Sequence, residues 1–367
     1  EVIAHLVHSL MEQDNDLFEA VRKAVLRLRG AYAIAVIAAS EPGVVVGARA
    51  GSPLVLGVGF HEHFLAADVH PLLAVTNRVV YLDEGDVVRL DSKGYEIRNR
   101  DDERVGRPVQ EADMAADAVQ RGEYRHYMQK EIFEQPRAVA DPLEGRIADG
   151  RVLPNIFGVG AEEILEKTRQ VHIVACGTSY HAGLVARYQL EALAGIPCTV
   201  EVASEYRYRD PVVPEGSLFV AISQSGETAD TLAALRHAQQ SGYLATLVIC
   251  NVPESSIVRE ADFVLRTRAG LEIGVASTKA FTTQLAALQL LVLKLAGVSG
   301  RVEPAQLEAW VRELARAPEM LERALTLDAR IEVLAERFVE KHNALFLGRG
   351  SHNPIAMEGA LKLKEIS

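Results

Sequence analysis

Cysteine is scarce: Cys176, Cys198 and Cys250 are the only three in 367 residues. The number is odd and each lies beside apolar runs, so the expectation is a reduced, cytoplasmic chain without a disulfide framework. No CxxC pair occurs, and His61, His63 and His70 are too irregularly placed to suggest a metal site. No uncharged apolar stretch reaches the length of a membrane span, and no signal peptide is visible. Basic charge is also short. Lys and Arg number 39 against 50 Asp and Glu, a net charge of −11, which counts against nucleic acid or an anionic membrane as the main partner. A small anionic ligand stays open, because its site is local. Nucleotide signatures are missing as well. No GxxxxGK[ST] motif occurs, and Gly158-Val159-Gly160 and Gly348-Arg349-Gly350 lack the third glycine of GxGxxG.

What remains is ordinary globular composition, 49% hydrophobic and 24% charged, at a length that predicts two or three domains. Residues 1–29 carry apolar residues at helical spacing (Leu6, Leu10, Leu17, Val21, Val25, Leu28) up to Gly30. From 31 to 98, short apolar runs alternate with glycine and proline turns, an antiparallel β pattern. The charged stretch 99–123 reads as a linker. From 124 to 300, helices lead into a strand–loop–helix alternation, which predicts a doubly wound parallel α/β sheet covered on both faces. Residues 301–340 read as a helical connector. Leu345–Ser351 aligns without gaps on Ile173–Ser179, so 341–367 reads as the start of a second copy of the α/β domain. Glu1 opens directly on a helical pattern, and Lys362–Ser367 stops inside one with no cap. Both ends read as truncations.

Three hydroxyl-rich loops fall where ligands of such sheets bind, beyond the carboxyl ends of strands. They are Cys176-Gly177-Thr178-Ser179, Ser223-Gln224-Ser225-Gly226-Glu227-Thr228 and Val275-Ala276-Ser277-Thr278. Each precedes a helix, whose free N–H groups and partial positive charge suit a phosphate. Helix capping explains any one loop equally well. Three in one domain point to a phosphorylated ligand. On the closing helix, Glu358, Lys362 and Glu365 share a face by spacings of four and three. They read either as a solvated salt-bridged face or as a carboxylate base with a lysine neighbour, suited to moving a proton between sugar carbons. Asp68 ends an apolar strand and reads as a turn aspartate. Cys176 reads as a small packing residue at the pocket.

The segments CGTSYHAGLVARYQLE, SQSGETADTL, EIGVASTKAFTTQL and GRGSHNPIAMEGALKLKEIS closely resemble the isomerising glutamine–fructose-6-phosphate aminotransferase family. RGAYAIAV, GSPLVLGVG and YRHYMQKEIFEQP resemble it too, so the likeness covers essentially the whole chain. It implies a glutaminase domain of the N-terminal-nucleophile type, a β-sandwich whose C-terminal part is residues 1–98. Sugar isomerase (SIS) domains follow, the first at 124–300 and the second begun at 341–367. It implies that ammonia from L-glutamine is transferred to fructose 6-phosphate, giving glucosamine 6-phosphate for amino-sugar synthesis, with no nucleotide or metal cofactor, in a homodimer joined through SIS domains. By motif, Cys176, Gly177, Thr178, Ser179, Ser223, Gln224, Ser225, Thr228, Val275, Ala276 and Ser277 match sugar-phosphate ligands. Glu365 matches the residue that shifts the proton between C1 and C2, Lys362 the lysine near it, and Asp68 the aspartate that holds glutamine's amino group. The family's nucleophilic cysteine, its imine-forming lysine and the histidine after KLKEIS have no counterpart in these residues. The 367-residue chain alone is therefore expected to bind sugar phosphate without turning it over. Two other readings remain: a non-catalytic sugar-phosphate sensor, with no use for the Lys362/Glu365 pair, and a nucleotide-binding dehydrogenase, suggested only by the βα alternation.

Overall fold

The computed structural model describes residues 1–366 except 15, 68, 74, 113–120 and 254, and leaves out the side chains of 13, 14 and 70. The chain divides into two compact units, Glu1–Gln120 and Arg121–Ser367.

In the first unit the helical pattern over 1–29 forms two helices, α1 (Val2–Asp14) and α2 (Leu17–Val25). Asp16 separates them: its side chain accepts from the Glu19 amide at 2.9 Å and caps α2. Among the described residues nine strands follow: β1 (Tyr32–Val36), β2 (Val45–Ala50), β3 (Val55–Val58), β4 (His63–Ala66), β5 (Arg78–Tyr81), β6 (Val87–Leu90), β7 (Tyr95–Arg98), β8 (Arg104–Val105) and β9 (Gln110–Glu111). They form two sheets, ordered β1-β2-β6-β7-β8 and β4-β3-β5-β9, with every pairing antiparallel. Period-two alternation gives each strand two faces. Val88, Leu90 and Ile97 of the first sheet share a core with Leu56 and Val80 of the second, whereas Val46, Ala48 and Val87 face Phe18 and Val21 of α2. Of the stretch 99–123 expected as a linker, residues 104–111 supply β8 and β9, and 113–120 lie outside the described residues. Some of its charges are paired: Arg107 grips the buried Asp86 with two bonds of 2.9 Å, and Asp102 accepts from Arg98 at 2.9 Å.

The second unit opens with α3 (Tyr127–Leu143), a short ribbon of β10 (Ile147–Ala148) and β11 (Arg151–Val152), and α4 (Ala161–Lys167). Then come β12 (Gln170–Ala175), α5 (Gly177–Gln189), β13 (Cys198–Val202), α6 (Ala203–Tyr206), β14 (Ser217–Ser223), α7 (Ala229–Ala238), β15 (Thr246–Cys250), α8 (Ser256–Glu260), β16 (Phe263–Arg266) and α9 (Lys279–Val298). The five strands make one wholly parallel sheet in the order β13-β12-β14-β15-β16. Its strands are near-continuous apolar runs because both faces are covered. Ile173, Val220 and Ile249 pack under α5 and α9; Val174, Ala221 and Val248 pack under α6, α7 and α8. Gly183 lets α5 lie close on β12, since a Cβ there would stand 2.9 Å from Ile173.

Helix α9 is long and apolar enough to cross a membrane by length and composition, but 14 of its 20 residues are buried within this unit. It is the core helix, packed under the sheet and against Val139 and Leu143 of α3. Beyond it lie α10 (Pro304–Ala315), α11 (Ala317–Leu325), α12 (Asp328–Ala335) and α13 (His352–Ile366). The strand expected at 344–347 is not formed. The segment is irregular, Leu345 and Leu347 are exposed, and no described strand lies alongside to accept ladder bonds. Phe346 instead lies against Gly359 of α13. Gly177 and Gly350 both have positive φ close to a helix start, but the gap-free alignment pairs Gly177 with Arg349 and Thr178 with Gly350, so the turn is shifted by one residue between the two copies.

Candidate functional site

The strand order reverses between β12 and β14: β12 leads to β13 on one side, and the chain then returns to place β14 on the other. Register aligns Ala175 with Ile222, so the first two hydroxyl loops leave neighbouring strands side by side at this switch point. In the first, Cys176 precedes α5 with no side-chain cap, and Gly177 takes φ +53°. The α5 amides are thus left without a side-chain partner from the N-cap. In the second, Ser223 Oγ accepts from the Gly226 amide at 2.9 Å and Ser225 Oγ from the Glu227 amide at 3.2 Å, which leaves both hydroxyl protons free to donate. Gln224 contributes its carbonyl to the turn, accepting from the Asn251 amide at 3.3 Å. Thr228 stands at the start of α7 without a side-chain bond to it. Gly226 is required: φ is +70°, and a Cβ would fall 2.1 Å from Ser255 Oγ.

The third loop differs. It leaves the edge strand β16, and the start of its helix is already occupied. Glu272 accepts from the amides of Thr278 (2.8 Å) and Ala280 (3.0 Å) and from Ser277 Oγ (2.9 Å). A carboxylate therefore fills the place a phosphate would take at α9. The other side of the loop is held from α3, where the buried Glu131 accepts from the amides of Ile273 and Gly274 (3.0 Å), and Glu134 bonds the buried Lys279 at 2.7 Å. Burial pushes the Glu131 carboxyl up, against the two amides that favour its charged form. Between the two clamps Val275 is 90% exposed while Ala276 is fully buried.

Helix α13 docks on α5 and brings its carboxylates to the first loop. Glu358 is 5% exposed, which rules out the solvated-face reading for that residue. Its Oε1 accepts from Thr178 Oγ1 at 2.8 Å, and its Oε2 lies 2.7 Å from His181 Nδ1. Lys362 donates to Thr178 Oγ1 at 3.0 Å and to Glu365 at 2.6 Å, and stands 3.3 Å from Glu358. Burial opposes the charge on Glu358, yet the bonds from His181 and Thr178 and the nearby Lys362 hold its carboxyl below the usual range. The Lys362/Glu365 pair thus sits at the mouth of the loop after β12.

Of the residues singled out by sequence, the first two loops, Lys362 and Glu365 come together around the β12–β14 switch. Val275, Ala276 and Ser277 lie on the separately clamped third loop, and Asp68 lies outside the described residues. Cys198 and Cys250 are buried thiols pushed up by desolvation. Sequence reading passed over His181, Glu131, Glu272 and Gln284, whose amide donates to Ser179 Oγ at 3.0 Å. All four stand inside the segments that carry the family resemblance, but none is a hydroxyl or glycine of the loops themselves.

Residues 164–294 match the SIS domain family. Over all 367 residues the chain is 56% identical to the glutamine–fructose-6-phosphate aminotransferase (isomerizing) of Pseudomonas syringae pv. tomato and 54% identical to that of Pseudomonas putida. It spans 60% of the length of each. Among solved structures, the C-terminal domain of glucosamine-fructose-6-phosphate aminotransferase from Francisella tularensis is 51% identical with a TM-score of 0.67, over 68% of this chain and 70% of that one. With that identity and coverage, the chain belongs to the family of isomerising glutamine–fructose-6-phosphate aminotransferases.

Proposed function

We propose that this chain supplies the fructose 6-phosphate site of an enzyme that transfers glutamine-derived ammonia to that sugar and isomerises it to glucosamine 6-phosphate. The observation that carries the reading is the meeting of two unlike groups at one switch point: open helix starts with free hydroxyl donors, and a Lys362/Glu365 pair 2.6 Å apart. The phosphate belongs at the starts of α5 and α7, where Ser179, Ser223, Ser225 and Thr228 add donors to backbone amides. Cys176, Gly177, Thr178 and Gln224 shape that cradle, and Val275, Ala276 and Ser277 are assigned to the sugar by the family motif alone. Glu365 is the base that takes a proton from C1 and returns it at C2, and Lys362 holds its charge in place. Asp68 belongs to the glutamine side of the reaction, as the holder of the amino group.

The reading extends to a homodimer through SIS domains and to a cytoplasmic location, which the three unpaired thiols support. The sensor alternative is disfavoured because a sensor has no use for a lysine and a carboxylate paired at the sugar end. Calorimetry decides the pocket. Fructose 6-phosphate gives heat with the wild-type chain; Ser223→Ala weakens binding about tenfold, the loss of one hydrogen bond to a charged group, and Glu365→Gln leaves affinity within about twofold. No heat at millimolar ligand from a folded chain rejects the proposal.

A further inference from the structure

Two adjacent hydroxyls in the first loop have opposite hydrogen-bond states, and the difference comes from residues far away in the chain. Thr178 gives its proton to the Glu358 carboxylate, which can only accept, and takes a bond from the Lys362 ammonium, which can only donate. Its hydroxyl has no proton left for a ligand. Ser179 Oγ, 8% exposed, instead accepts from Gln284 Nε2 at 3.0 Å. One lone pair is thereby filled and the proton is left over. Gln284 itself is 2% exposed, and its Oε1 has no partner among the described residues. Leucine or methionine would fill the same space in α9 without an orphaned carbonyl, so the amide is there for its donor end.

We infer that Gln284 is a positioning residue for the phosphate: its amide fixes the Ser179 hydroxyl as a donor aimed at the bound anion, while Thr178 is kept as a brace between α5 and α13. The inference rests on the reading that this loop holds a sugar phosphate, and it deepens that reading. It also explains how the third loop's helix serves the site although Glu272 closes its start to anions. Six residues into α9, Gln284 reaches the first turn of α5 instead.

The test is a double-mutant cycle in the full chain, read as fructose 6-phosphate affinity by calorimetry with inorganic phosphate as a competing probe. Gln284→Glu is close in shape but accepts the Ser179 proton, and weakens both ligands about tenfold. Gln284→Leu removes the donor without adding charge, and weakens them about threefold; it carries the test should the buried glutamate fail to fold. In a Ser179→Ala background neither substitution changes affinity further, which a merely structural role would not produce. Equal losses with and without Ser179, or wild-type affinity in both Gln284 variants, overturn the inference and leave the pocket standing. Absence of binding by the wild-type chain rejects the pocket, and the inference with it.

Discussion

A buried carboxylate and a positively turned glycine carry more of this site than the hydroxyls that mark it. Glu358 satisfies three donors from one buried position. Glu358→Gln removes its charge and one acceptor oxygen, leaving a donor short of a partner. The expected cost is about 2 kcal/mol, since bonds to charged groups are worth about 1.5–3, visible as a lower urea midpoint. Gly226 is the second case. Gly226→Ala places a methyl onto Ser255 in a backbone region unfavourable to alanine. Overpacking and the left-handed conformation together cost about 2 kcal/mol or more, and fructose 6-phosphate binding weakens with it. An alanine variant of wild-type stability would show that the turn can relax, contrary to the tight packing seen here.

Helix α13 and the α3 clamp are where elements act as units. The Glu358 carboxyl lies below its ordinary value of 4.5 in the folded chain. As pH falls, the unfolded chain takes up the proton first, so the stabilisation is present above pH 4.5 and is lost as pH drops through the lower folded value. Wild-type stability should therefore fall more steeply than that of Glu358→Gln between about pH 5 and pH 3; parallel curves would mean that Glu358 does not tie α13 to α5. For the α3 clamp, Glu131→Gln keeps the shape and the Oε1 acceptor shared by both amides but removes the negative charge and the Oε2 bond to the Gly274 amide at 3.2 Å. Hydrogen exchange at Ile273 and Gly274 should quicken, while the amides of Thr278 and Ala280, held by Glu272, stay protected. The short strands and the α/β alternation were legible from period and punctuation alone. The α1–α2 break and strands β8 and β9 were not, because a single capping aspartate and a set of arginine–carboxylate pairs outweighed the local pattern.

At the scale of the whole molecule, a ligand that binds only the folded state raises its stability by mass action. Fructose 6-phosphate should lift the thermal midpoint of the second unit by several degrees, and unphosphorylated fructose at the same concentration should not. Equal shifts would place the affinity in the sugar ring rather than the phosphate. Net charge does not decide this: the chain carries −11, yet the place proposed for the anion is made of backbone amides and hydroxyls at two helix starts.

The sequence by itself determined the parallel sheet, the place of the three loops beyond it, the glycines those turns need and the family to which they belong. Each of these depends on neighbours within a few residues, where periodicity and backbone freedom act. Tertiary structure decided the state of the first and third loops. Glu272 closes the third, Thr178 is bound to a carboxylate 180 residues away, and Ser179 is aimed by an amide 105 residues away. A side chain's hydrogen-bond role depends on which donor or acceptor meets it once the chain has closed on itself, and spacing along the sequence carries no record of that meeting.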